Sequence, residues 1–121
     1  MQASPFQLCA AGSAFGPGCV YVMSYTHYRT NYYKIGCTSR DPNLRLKEIQ
    51  RSEGNPAIML VGFVNANEMN GAETAAQQAV IANGLVKDPA RGGATDWFIG
   101  SLTPQQVLDV VRRAVYNYNR R

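Results

Sequence analysis

The sequence predicts an α+β fold: a small, mainly antiparallel sheet of three to four strands flanked by about three helices. Three observations predict it. Short β-branched and aromatic runs alternate with longer segments of helical period. The first two such runs lie so close together that antiparallel pairing is the simplest arrangement. The segments follow the order β-β-α-β-α-β-α, which describes a sheet with helices packed on it. The chain has 121 residues, 45% of them apolar and 17% charged. That balance suits one domain with one core.

Residues 1–17 are rich in Ala, Gly, Ser and Pro and show no period. They read as a flexible lead-in or linker, the junction with a larger precursor, with Phe6 and Leu8 able to dock on the domain. The domain itself is expected over 18–121. Val20-Tyr21-Val22-Met23 is the first strand, Ser24 to Asn31 a polar hairpin loop, and Tyr32 to Cys37 the second strand, ended by Gly36 and Thr38. Asp41-Pro42 opens a helix that Thr38, Ser39 or Asp41 can cap. Leu44, Ile49 and the stem of Lys47 form its apolar face up to about Arg51. Ser52 to Pro56 is a loop. Ala57 to Val64 is almost wholly apolar and is expected to be a central strand buried on both faces. Asn65 or Asn67 caps the next helix, which includes Ala72 to Ala82 and stops at Asn83-Gly84. Residues 85–95 form a loop carrying Lys87 and Arg91, and Asp96 to Ile99 is a short strand. Thr103-Pro104 starts a last helix whose apolar stripe is Val107, Leu108, Val110, Val111, Ala114 and Val115.

Several function classes are excluded or left unsupported. No apolar run reaches the roughly 18 residues of a membrane span. No Lys or Arg precedes Arg29, so the basic start of a signal peptide is missing. The three cysteines (Cys9, Cys19 and Cys37) and the one histidine, His27, fit no zinc spacing. Reduced thiols are the default, with a Cys19–Cys37 bridge between neighbouring strands left open. The net charge of +4 is compatible with a polyanionic partner. Arg112, Arg113, Arg120 and Arg121 contribute to it, as a solvated helix end would.

Five short motifs occur in order. Gly18-Cys19-Val20-Tyr21-Val22 stands where a Gly-Ile-Tyr motif would, and Lys34-Ile35-Gly36-Cys37-Thr38 where Tyr-Ile-Gly followed by Thr or Ser would. Arg45 follows within Leu44-Arg45-Leu46, Glu73 within Ala72-Glu73-Thr74, and then Asp96-Trp97-Phe98. Together they resemble the GIY-YIG nuclease superfamily. Asp96-Trp97-Phe98 is similar to the Glu-Trp-Phe of its phage-type subgroup, whose second motif also reads Lys-Ile-Gly. Three departures stand out. Gly18 precedes Cys19 rather than Val20, Lys34 replaces a tyrosine, and Gln77 occupies a position where a histidine often lies one turn after the glutamate.

The resemblance implies a metal-dependent endonuclease that hydrolyses phosphodiester bonds, DNA ahead of RNA, with one Mg²⁺ (or Mn²⁺) ion. Glu73 is the implied metal ligand, since a hard cation accepts a single carboxylate and keeps its waters. Tyr21 is implied as the group that takes the water's proton or orients the water. A phenol with a pKa near 10 needs a nearby cation for that task, and Lys34 could supply it. Arg45 suits bidentate contact with phosphate, with Arg40 its nearest rival. Arg40, Lys47, Tyr33 and Thr38 are candidate substrate contacts, and Arg51 is a further backbone contact or simply solvated. Tyr28, Tyr32 and Tyr33 could stack on bases or pack the sheet. His27 is a lone loop histidine, and Trp97 is core ahead of substrate platform.

The alternative is a catalytically inactive nucleic-acid-binding module of the same fold. A role as a toxin, or as a phage or mobile-element nuclease, fits the size. A toxin would imply an inhibitor or immunity protein as partner and export within a larger polypeptide, with a cytoplasmic site of action.

Overall fold

The computed structural model describes residues 16–91 and 96–120. The lead-in expected over 1–17 lies almost wholly outside them. Gly16 is an exception: its carbonyl accepts from the Met69 N–H at 3.0 Å, so the described chain is tied to the domain from its first residue.

The strands are β1 (Gly18–His27), β2 (Thr30–Thr38), β3 (Met59–Ala66), β4 (Val86–Lys87) and β5 (Trp97–Gly100). The helices are α1 (Pro42–Glu53), α2 (Met69–Ala82) and α3 (Pro104–Asn119). All described strand pairs are antiparallel, in the order β3-β1-β2-β5-β4. This is the expected α+β architecture with a fifth strand. Val86–Lys87 pairs with Ile99 and Phe98, where a loop was expected.

Alternation along the strands splits the core between the sheet's two faces. Val20, Val22, Tyr33 and Ile35 pack on Ala72, Ala76 and Val80 of α2 and on Val107, Leu108, Val111 and Val115 of α3. Tyr21, Met23 and Trp97 point the other way and meet Ile49 of α1 and Ile58. Each fully buried Val, Leu or Ile side chain among them contributes about 1.5–3 kcal/mol. Among the described residues no helix is long and apolar enough to cross a membrane. Cys19 and Cys37 are free thiols. They are not cross-strand partners, since Cys19 faces Thr38 and Val20 faces Cys37.

Four expectations need correction. The polar stretch after Met23 is not a loop. β1 and β2 stay paired out to His27↔Thr30, because Tyr25 and Tyr32 stack across the strands with centroids 4.7 Å apart. The turn shrinks to Tyr28-Arg29, both at positive φ (49° and 65°). That is the pattern of a type I′ hairpin, and non-glycine residues there cost roughly 1–2 kcal/mol each.

Next, the apolar β3 lies at the sheet edge and is only half-buried over most of its length. Its apolar residues serve both faces by packing on α1 and α3. The cap of α2 is Glu68, whose carboxylate accepts from the Asn70 and Gly71 N–H groups, so neither Asn65 nor Asn67 caps it. In α1 the buried positions are Pro42 and Ile49, with Leu46 against the core. Stepping back from Ile49 by three, four and seven residues reaches 46, 45 and 42, which leaves Leu44 exposed and Lys47 in solvent.

Candidate active site

The sheet is incomplete at one place. β5 pairs with β2 from Asn31 to Lys34, and the Ile35 N–H still donates to the Asp96 carbonyl at 3.2 Å. Beyond that, among the described residues, no strand covers this side of Gly36–Thr38. Gln77 of α2 reaches the gap, and its side-chain amide donates to the Ile35 carbonyl at 2.8 Å. The position where the resemblance implied a histidine therefore holds a residue that closes the ladder.

The charged groups gather around this gap. Lys34 lies on the same face as Tyr21, since Lys34 pairs with Met23 and Gly36 with Tyr21. Its ammonium is 3.0 Å from an Asp96 carboxylate oxygen and 5.7 Å from the Trp97 ring centroid. Glu73 of α2 lies near the Cys37 thiol, which donates to Asn70 Oδ1 at 3.5 Å. Burial pushes its carboxyl above the usual range, and the Asp96 charge adds to that, against the opposing pull of Lys34. Burial, then the Glu73 charge, likewise pushes the Cys37 thiol up to about 12. Two carboxylates thus share one neighbourhood with a single lysine between them in charge. A hard divalent cation would relieve that situation, and Glu73 and Asp96 are the oxygen donors that could hold one.

Arg45 is half-exposed on α1, and its charge lies close enough to the Tyr21 hydroxyl to oppose the effect of burial there. Glu48 Oε1 accepts from Arg45 at 3.1 Å and from Arg40 at 2.6 Å. Those two guanidinium groups hold the Glu48 carboxyl down at about 2. Glu48 is a site neighbour that the sequence reading missed. Its only signal is the i, i+3 spacing from Arg45. Asp96 enters the sequence only as part of a motif; the structure makes it the ion-pair partner of Lys34 and a like-charge neighbour of Glu73.

Some expected roles change. Tyr21 is 1% exposed, and burial pushes its hydroxyl up to about 12 despite the Arg45 charge beside it. A proton acceptor there is opposed by the fold, and the cation at its hydroxyl is Arg45, not Lys34. Tyr33 is fully buried on the opposite face, and its hydroxyl donates to the Leu102 carbonyl, so it is a core residue rather than a substrate contact. Thr38 is also buried; its hydroxyl oxygen accepts from the Arg40 N–H at 3.1 Å and shapes the turn into α1. Arg40, Lys47 and Arg51 are exposed. His27 sits at the hairpin tip, about 20 Å from Tyr21 at the ordinary strand rise, and outside the cluster. Trp97 is core.

The family model of the T5orf172 domain matches residues 18–115. The chain belongs to the T5orf172 domain family. No curated protein and no solved structure shows a significant match. The match overturns the family reading taken from the paired motifs: the model that fits is that of the T5orf172 domain, not the GIY-YIG superfamily or its phage-type subgroup. Motifs of two or three residues on paired strands recur too widely to decide between families. The T5orf172 domain is a nuclease-like family, and the matched span takes in every charged residue of the cluster described above.

Proposed function

We propose that this T5orf172 domain is a divalent-metal-dependent endonuclease acting on phosphodiester bonds of nucleic acid. The observation that carries the reading is the gathering of Lys34, Arg45, Glu73 and Asp96 around the uncovered end of β2. Hydrolysis attaches a water oxygen to phosphorus and breaks the P–O ester bond, with a proton delivered to the leaving oxygen. The site must hold a dianionic transition state and restrain its charge.

Arg45 is the group suited to the phosphate. Its fork offers paired donors, and Glu48 and Tyr21 fix its orientation from two sides. Tyr21 is thus a positioning residue: its protonated hydroxyl sets the guanidinium without facing solvent. Glu73 and Asp96 would hold the metal ion, which when bound would neutralise phosphate charge and acidify a water. Lys34, its side chain only 13% exposed, balances Asp96 and faces the region where Arg45 would hold the phosphate.

The test is cleavage of a supercoiled plasmid and of matched DNA and RNA oligonucleotides with Mg²⁺ or Mn²⁺. Cutting is expected to disappear with a chelator and in Glu73→Ala, with the far-UV circular dichroism unchanged. A wild-type chain that binds the oligonucleotides but leaves them intact with either metal would sink the nuclease reading and leave the inactive binding module in its place.

A further inference from the structure

The β1–β2 hairpin ends in a choice of residues that backbone energetics does not favour. Type I′ turns select Asn-Gly because both central residues need positive φ. Here a tyrosine and an arginine occupy those positions, at φ 49° and 65°. Tyr28 is 88% exposed, and its ring meets that of His27 edge-on at 4.3 Å, so the strained turn is not explained by burial of its side chains. Strain held at an exposed site points toward function.

The surroundings say what kind of ligand fits. No acidic residue occurs before Asp41, so the hairpin's side-chain charges are Arg29 and Lys34, with His27 beside them. A depression of about 460 Å³ next to the tip is lined by Arg29, Thr30, Val86 and Ile99 among others, none of them acidic. From the tip, Tyr25 and Tyr32 continue as a stacked pair on the face that carries Lys34. Tyr25 then meets Trp97 edge-on at 5.3 Å. Thr30 and Lys34 are four residues apart on one strand, about 13 Å. That spans roughly four nucleotides at the 3.4 Å spacing of a stacked strand.

We propose that His27-Tyr28-Arg29 is a nucleic-acid-binding tip that stacks an unpaired base on Tyr28 and holds a phosphate with Arg29, about four nucleotides from the bond cut. The assignment rests on the nuclease reading for its substrate. The tip trades hairpin stability for a presented aromatic and cation, the pairing that serves single-strand binding elsewhere.

The experiment measures fluorescence anisotropy of a labelled single-stranded oligonucleotide in a Glu73→Ala background, which binds without cutting. It compares Tyr28→Ala and the double variant Tyr28→Asn/Arg29→Gly. The double variant relaxes the turn at both positions, so its melting temperature is expected to rise by roughly 8 °C or more while its affinity falls roughly ten-fold or more. Tyr28→Ala is expected to lose affinity as well. Unchanged affinity in both variants, with the parent still binding, would overturn the tip while leaving the nuclease reading intact. A parent that neither binds the oligonucleotide nor, as wild type, cuts it would overturn both.

Discussion

A Cβ at position 36 would lie 2.4 Å from the Tyr21 hydroxyl oxygen and 2.5 Å from its Cζ. The aromatic ring lies directly over the Gly36 backbone, and only a residue without a side chain lets it reach Arg45. Gly36→Ala is therefore expected to destabilise the fold by about 1–3 kcal/mol through overpacking and to disturb Arg45. Urea unfolding measures the first effect and cleavage the second, and full retention of both would refute the packing argument. Tyr21 also makes a prediction about pH. Its folded pKa is raised from 10 to about 12, so the protonated phenol's contribution is complete below pH 10. It is lost as pH rises from about 10 to about 12, because the unfolded chain releases its proton first. Two pKa units correspond to about 2–3 kcal/mol. The fall in stability above pH 10 should be shallower in Tyr21→Phe than in wild type, and parallel slopes would show that the phenol does not titrate this way.

Thr103 begins α3 with a reciprocal capping box: its hydroxyl oxygen accepts from the Gln106 N–H, and the Gln106 side chain accepts from the Thr103 N–H at 2.8 Å. Thr103→Ala is expected to cost about 1 kcal/mol and Thr103→Ser almost nothing, with cleavage unaffected because α3 packs on the sheet face away from Arg45. This helix was readable from the sequence because each of its signals is local: the cap, Pro104 in the first turn and a regular apolar stripe. The first two strands, the last strand and the α1 start were legible for the same reason. What could not be read depends on partners far along the chain. Nothing local in Met59–Ala66 says that an apolar strand belongs at an edge, since helices on both faces supply its cover. Nothing in Val86–Lys87 announces a two-residue strand, because β5 alone defines it. The residues of the charged cluster were individually visible, whereas their pairing was not. Asp96 and Lys34 are 62 positions apart, and the burial of Tyr21, which opposes a role as a base, depends on residues from other elements.

At the scale of the whole molecule, the two carboxylates near the β2 edge predict that metal and fold are linked. A ligand bound by the folded state alone adds stability, about 2.7 kcal/mol at a hundred times its dissociation constant. Millimolar Mg²⁺ or Mn²⁺ should raise the melting temperature of wild type measurably and leave Glu73→Ala unmoved. An equal rise in both proteins would place the ion elsewhere. The same cluster has a consequence for the order of folding. The β1–β2 hairpin joins neighbours in sequence and can form within about 1–10 μs. The Lys34–Asp96 pair waits for β5, which must return from the far end of the domain and close a long loop. Arg45 and Tyr21 can meet early, but the carboxylate partner of Lys34 arrives only with the last strand. A chain still emerging from synthesis holds its β1–β2 hairpin without the completed charge cluster, so the proposed cutting activity is withheld until the sheet has closed.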